Sequence, residues 1–119
     1  MPETPVTEIR PHEQVLLIAV LKRSLDETST RQLTQDVLEA AGTRARIPIV
    51  LDMANVRFAP SVALGALVKL SNSFKLDGRR IAIIGVDMRI RDAIRVTRLD
   101  QVLVLHATLN DVLNDPSLK

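Results

Sequence analysis

Ser61 is the residue of this 119-residue chain whose type and setting best suit chemistry. It lies within IPIVLDMANVRFAPSVALGALVKLSNSFKL, positions 47–76. There a buried strand ends at Asp52, a loop runs through Phe58-Ala59-Pro60, and an amphipathic helix opens at Ser61. A serine at such a junction has two uses. As a helix N-cap its hydroxyl accepts a hydrogen bond from a free backbone N–H, worth about 1 kcal/mol. As a phosphoacceptor it would place about two negative charges beside unpaired N–H groups and the positive end of the helix, where phosphate is well tolerated. Periodicity alone gives the cap the larger share.

Other chemistries find less support. His12 and His106 are the two histidines, one before the first buried strand and one after the last, and no G-x-S-x-G elbow surrounds any serine. Both histidines therefore read as structural. With no cysteine, disulfides, thiolate metal sites and thiol catalysis are excluded. Asp26-Glu27 and Asp111 fit helix-terminal or solvated charges better than a metal cluster. Gly42, Gly65, Gly78 and Gly85 are too dispersed for a dinucleotide loop, and no G-x-x-x-x-G-K-[ST] occurs. These readings lead to the expectation of a protein that is not an enzyme and holds neither cofactor nor metal.

The elements that would position Ser61 are legible from periodicity. Val6-Thr7-Glu8-Ile9 alternates between Pro5 and Pro11, as a short edge strand would. Val15 to Val20 is a continuous apolar run, the mark of a strand buried on both faces. A helix is expected from Leu25 to about Ala41, with Asp26 and Glu27 at its positive end and Gly42 as its stop. Leu33, Val37 and Ala41 form its buried stripe, which Leu38 widens; Thr30, Arg31, Gln35 and Glu39 face water on this reading. A second buried strand spans Ile47 to Leu51. The helix from Ser61 to about Lys75 carries Ala63, Leu67, Leu70 and Phe74 on one stripe, with Leu64 and Val68 beside it. Ile81 to Ile84 is a third buried strand, Met88 to about Val96 a short helix, Val102 to Leu105 a last strand, and Thr108 caps a terminal helix that Pro116 stops. The order β-β-α-β-α-β-α-β-α predicts an α/β domain with a mainly parallel or mixed sheet and right-handed crossovers. One domain is expected over 1–119, with loose tails at 1–5 and 115–119.

Composition narrows the function classes. Lys and Arg number 16 against 14 Asp and Glu, a formal charge of +2, and only Phe58 and Phe74 are aromatic. That balance argues against direct nucleic-acid binding, which calls for a basic face with stacking residues. Arginines do cluster late, from Arg79 to Arg98; a solvated helix face is the plainer reading and a surface for an acidic partner the sharper one. No apolar run reaches the roughly 20 residues that cross a bilayer, and the amino terminus lacks a signal-peptide core, so membrane insertion and export are not expected. A cytoplasmic location is the simplest expectation.

The order of elements and several short motifs resemble the STAS domains of bacterial anti-sigma-factor antagonists, from about Val6 to Val112. The pieces are Ser24-Leu25-Asp26, then Ile49-Val50-Leu51-Asp52-Met53 with Val56-Arg57-Phe58, then Ser61 with Leu64-Gly65-Ala66-Leu67. Gly78-Arg79-Arg80-Ile81-Ala82-Ile83 and IRDAIRVTRLDQVLV from Ile90 to Val104 complete the match. The resemblance implies a STAS-like fold with a mixed sheet of about five strands and about four helices. The family's signature loop, Asp-Ser-Ser/Thr-Gly-Leu-Gly, corresponds to Pro60-Ser61-Val62-Ala63-Leu64-Gly65. Ser61 falls on the serine that a kinase phosphorylates in switchable members. Pro60 replaces the aspartate that helps present that serine, Val62 the second hydroxyl residue, and Ala63 the first glycine.

What the resemblance implies is a partner-switching regulator of transcription. Its partner would be a GHKL-type serine kinase that is also an anti-sigma factor, and a serine phosphatase would reverse the modification. Asp26, Ala59, Pro60, Ser61, Val62, Leu64 and Gly65 are the implied partner-binding residues, with Ser61 as phosphoacceptor. Two alternatives stay open: a constitutive STAS scaffold that is never phosphorylated, and a STAS subunit of a lipid or solute transporter.

Overall fold

The computed structural model describes residues 5–118. Strands β1 (Thr7–Arg10), β2 (Leu16–Val20), β3 (Ile49–Asp52), β4 (Ile81–Ile84) and β5 (Val104–His106) form one five-stranded sheet in sequence order. Helices α1 (Glu27–Ala41), α2 (Ser61–Leu76) and α3 (Met88–Val96) join the last four strands, and α4 (Leu109–Leu113) follows β5. β1 is antiparallel to β2, with Thr7 opposite Val20 and Arg10 opposite Leu17; the other pairings are parallel. The expected element order and mixed sheet are therefore realised.

Strand order explains the layering. Three parallel crossovers of the same hand, each stepping one strand further in the same direction, must place their helices on the same face of the sheet. Accordingly Leu16, Ile18, Val20, Ile49, Leu51, Ile81 and Ile83 share one large core with Leu33, Leu67 and Ile94 of α1 to α3. The alternate residues Val50, Ala82 and Ile84 point the other way, onto a smaller core with Val112 of α4 and Leu118. The same face carries a polar border near β1, where Arg10 approaches Asp52 at 3.5 Å. Continuous apolar runs in β2 to β4 thus reflect burial on both sides.

Two arginines add side-chain bonds to the backbone pairing at the amino ends of the strands. Arg79 donates from Nε to the Ile47 carbonyl at 2.9 Å, from Nη1 to that of Ala41 at 2.6 Å, and from Nη2 to that of Arg44. Arg44 in turn donates to the carbonyls of His12, Glu13 and Val15. Together they tie the β1–β2 loop and the α1–β3 loop to the start of β4. Desolvation in this setting lowers the Arg79 pKa.

Several expectations are corrected. Thr30 is buried, 4% exposed, and its hydroxyl donates to the Leu25 carbonyl at 3.2 Å. At 100° per residue it projects between Val37 and Ala41, inside the buried stripe. Leu38 lies at the stripe's edge and is 48% exposed. The last strand is Val104–His106, because Val102 closes the 3₁₀ turn Leu99–Gln101. Within the segment 115–119, expected as a loose tail, Pro116–Leu118 forms a 3₁₀ turn and Leu118 is 2% exposed. Of the expected tail at 1–5, residues 1–4 lie outside the described residues, as does 119.

Candidate interaction site at the Ser61 junction

The residues around Ser61 are positioned by a short extension of the sheet beyond the carboxyl ends of β2 and β3. The backbone N–H groups of Arg57 and Phe58 both donate to the Arg23 carbonyl, at 2.7 and 3.0 Å, and the Leu25 N–H donates to the Phe58 carbonyl at 3.0 Å. Ser24 and Phe58 thereby form a parallel bridge. Leu25, Met53 and Val56, all fully buried, anchor the two segments from below. The segments run side by side, so the helices that follow them, α1 and α2, start as neighbours. Asp26 and Pro60 occupy equivalent places, each the N-cap of its helix.

A third segment joins them. The Arg57 guanidinium lies 3.1 Å from Asp87, whose carboxylate also caps α3 by accepting from the Arg89 N–H at 2.9 Å. Gly85, between β4 and Asp87, has φ +69°, and a side chain there would meet Ala54 and the Asp52 carboxylate at 3.3 Å. That close approach lets Asp52 accept the Ala54 N–H at 2.9 Å and turn the chain away from β3. Three helix starts are gathered at one edge of the molecule, the carboxyl edge of the parallel strands where α/β sheets commonly carry their sites.

The three starts differ electrically. Asp26 accepts the Ser29 N–H at 2.7 Å, which, with other hydrogen bonds at the cap, holds its carboxyl below the usual value. The Asp87 carboxyl is held down likewise, first by the Arg89 N–H and then by Arg57. At α2 the cap is Pro60, with no side-chain hydrogen bond and no acidic residue in the first turn. The Ala63 and Leu64 N–H groups fold back onto the Pro60 carbonyl at 2.9 and 3.2 Å. Ser61 is exposed at the first helical position rather than the cap, so the capping role expected for its hydroxyl is not realised. Proline at the cap fixes φ at −68° in extended backbone and supplies no side-chain acceptor. The cap and first turn of α2 supply no counter-charge to its positive end.

The predicted site residues are brought together with one exception. Asp26 and Ser61 are exposed, Val62 is 49% exposed, and Ala59, Pro60 and Gly65 are partly so. Leu64, at 5% exposure, belongs to the main core and does not reach the surface around Ser61. Two residues not assigned to the site join it. Phe58, 61% exposed, stands on the loop beside Ala59. Leu38 of α1 faces Val62, Gly65, Ala66 and Lys69 of α2 across a groove of about 810 Å³. The sequence signal for both was present: an aromatic just outside a loop proline, and a leucine at the rim of its helical stripe.

Neither histidine is engaged with Ser61. The His12 ring accepts the Gln14 N–H at 3.1 Å, and His106 Nε2 lies 2.9 Å from Asp115. Among the described residues no group of three or more His, Cys, Asp or Glu could hold a metal ion, and no helix is long and apolar enough to cross a membrane. At Ser61 lies an exposed hydroxyl at a helix start without a side-chain cap, bordered by apolar side chains.

Comparison with known proteins bears on the same architecture. The family model described as STAS domain matches residues 5–112. Among solved structures, the chain is similar to the unphosphorylated form of the anti-sigma factor antagonist SpoIIAA, at 14% identity and a TM-score of 0.72, over 91% of this chain and 93% of that one. A STAS domain protein from Planctomyces limnophilus, titled an anti-sigma-factor antagonist, superposes with a TM-score of 0.75 at 23% identity, covering 90% and 93%. The murine anion transporter Slc26a9 gives a TM-score of 0.75 at 18% identity; 87% of this chain is covered, and the chain spans only 18% of the transporter's length. At these identities the structures establish a shared fold, and the match along the sequence goes further: this chain belongs to the STAS domain family.

Proposed function

We propose that the protein is a non-enzymatic partner-switching regulator that binds a serine-kinase anti-sigma factor through the Ser61 junction. The kinase holds the ATP; this domain supplies the acceptor. Phosphate on Ser61 ends the complex by charge and desolvation at the interface, and a serine phosphatase restores binding. The observation that carries the reading is the exposed hydroxyl at the first position of an uncapped helix, next to Val62 at 49% exposure and the apolar α1–α2 groove. Gly65 adds to it. A side chain there would meet nothing within 4 Å in this chain, so internal packing gives no reason for glycine in the middle of α2. Glycine in a helix interior costs about 1 kcal/mol relative to alanine, and close approach of a partner's backbone accounts for it.

The test is incubation of the purified domain with a serine-kinase anti-sigma factor from the same organism and ATP. One phosphate should be added, and Ser61→Ala should abolish it. Phosphate at another residue, or a kinase that neither binds nor modifies the domain, overturns the assignment.

A second reading, a constitutive interaction module, is favoured by one observation: Pro60 holds the cap position and offers no carboxylate to present Ser61. On that reading Ser61→Asp leaves partner binding nearly unchanged, whereas the switch requires a large loss. The likeness to 18% of the anion transporter Slc26a9 keeps a transporter-associated role as a third outcome, which a transporter component recovered with the domain would identify.

A further inference from the structure

A second cleft, sharing no residue with the Ser61 junction, opens between α3 and β5. Arg91, Arg95, Asp100, Leu103, Leu105 and His106 line it, around a volume of about 410 Å³. Arg91 and Arg95 stand four residues apart, hence on one face of α3, where like charges destabilise a helix unless something neutralises them. Among the described residues no carboxylate lies within 4.0 Å of either; Arg10, Arg31 and Arg57 are the arginines that are paired, and Arg91 and Arg95 are the unpaired ones that share a cleft. Asp100 shares the cleft and still closes no bridge to them. Against this basic wall, half-buried Leu105 supplies an apolar floor, backed by Leu103 at 3% exposure. On the far side His106 is held in place by Asp115 at 2.9 Å. Two exposed guanidinium groups against one carboxylate, that of Asp100, leave the cleft with a net positive charge.

We infer that the α3–β5 cleft binds a small organic anion, a carboxylate or phosphate monoester on a short aliphatic body. Guanidinium forks match both anionic groups in geometry and charge. The leucine floor accepts the aliphatic part, and the volume falls in the range of small-molecule sites. Neither Phe58 nor Phe74 lines the cleft, so of its side chains only His106 and the arginines could stack on a flat ring.

The experiment is a titration of the full-length, 15N-labelled domain with butyrate, butyl phosphate, inorganic phosphate and neutral butanol. Saturable shifts of amides at 91–95 and 103–107 are expected with butyrate or butyl phosphate at millimolar concentration, and which of the two binds more tightly identifies the headgroup. Butyl phosphate should bind at least threefold more tightly than inorganic phosphate, which cannot use the floor. Arg91→Gln with Arg95→Gln should weaken binding tenfold or more, while Arg98→Gln, outside the cleft, should change it less than twofold. Unfolding curves of the exposed variants confirm that they remain folded. Shifts that do not saturate, that butanol reproduces, or that all three arginine substitutions weaken equally overturn the inference; the last result means a diffuse field rather than a site.

Discussion

Alanine at three glycines separates two costs that usually arrive together, and tests whether the α1–α2 groove is open. At Gly65 the backbone is helical and a Cβ meets nothing within 4 Å, so Gly65→Ala should stabilise the protein by about 0.5–1 kcal/mol from the lower entropy of the unfolded chain. At Gly78 the space is also free but φ is +73°, so alanine incurs only the left-handed backbone penalty, about 1–2 kcal/mol. At Gly85 φ is +69° and the new Cβ lies 3.3 Å from Ala54 Cβ, Ala54 N and an Asp52 oxygen. These neighbours belong to the turn that closes on the Asp52 carboxylate and have little room to give. The added strain brings the expected loss to about 2–4 kcal/mol. Urea unfolding at constant m-value should place the midpoints in the order Gly65→Ala, unsubstituted, Gly78→Ala, Gly85→Ala. A midpoint for Gly65→Ala below that of the unsubstituted protein would refute the open groove and with it the argument that a partner approaches there. Equal losses at positions 78 and 85 would refute the close packing beneath the junction.

Arg79→Met should cost about 2–4 kcal/mol in the same assay, since three carbonyls lose a charged donor while water replaces part of each bond; Arg79→Lys, without the planar fork, should recover less than half of it. Leu64→Ala should cost about 2–5 kcal/mol because Leu64 is only 5% exposed, whereas Val62→Ala, at a position 49% exposed, should change stability by less than about 0.5 kcal/mol while weakening any complex formed at the junction. The folded carboxyls of Asp26, Asp87 and Asp115 all titrate below the ordinary 3.8, the last chiefly through Ser117 and then His106. The unfolded chain therefore binds more protons in acid. Their stabilisation is complete above pH 3.8 and is lost as pH falls through the lower folded values. Thermal midpoints measured from pH 5 to pH 2 should fall, and less steeply in Asp26→Asn than in the unsubstituted protein.

Element order was readable because each element carries its own period. The apolar runs Leu16–Val20 and Ile81–Ile84 admit few readings other than strands covered on both faces. Where the reading failed, the missing information was relational. Thr30 looked solvent-facing by residue type, yet its place on the helical wheel buries it, and its hydroxyl is satisfied by a carbonyl five residues back. Leu38 looked like core because it is a leucine, but α2 opposes it with Gly65 and Ala66, which are too small to cover it. Ser61 looked like a cap because it is a serine. Pro60 takes that place because the bonds from Arg57 and Phe58 to the Arg23 carbonyl determine where the loop ends.

By itself the sequence determined the α/β class, the strand and helix order, and the family, since these depend on local periodicity and on short motifs in a set order. It also singled out Ser61. Only the tertiary structure decided that Leu64 is buried while Phe58 and Leu38 are exposed near Ser61. It also decided that the α2 start alone among the first three helices lacks a carboxylate, and that Arg91 and Arg95 share a cleft with Leu103 and His106. Exposure and charge balance at a point belong to every segment that converges there, and in this fold the converging segments are tens of residues apart along the chain.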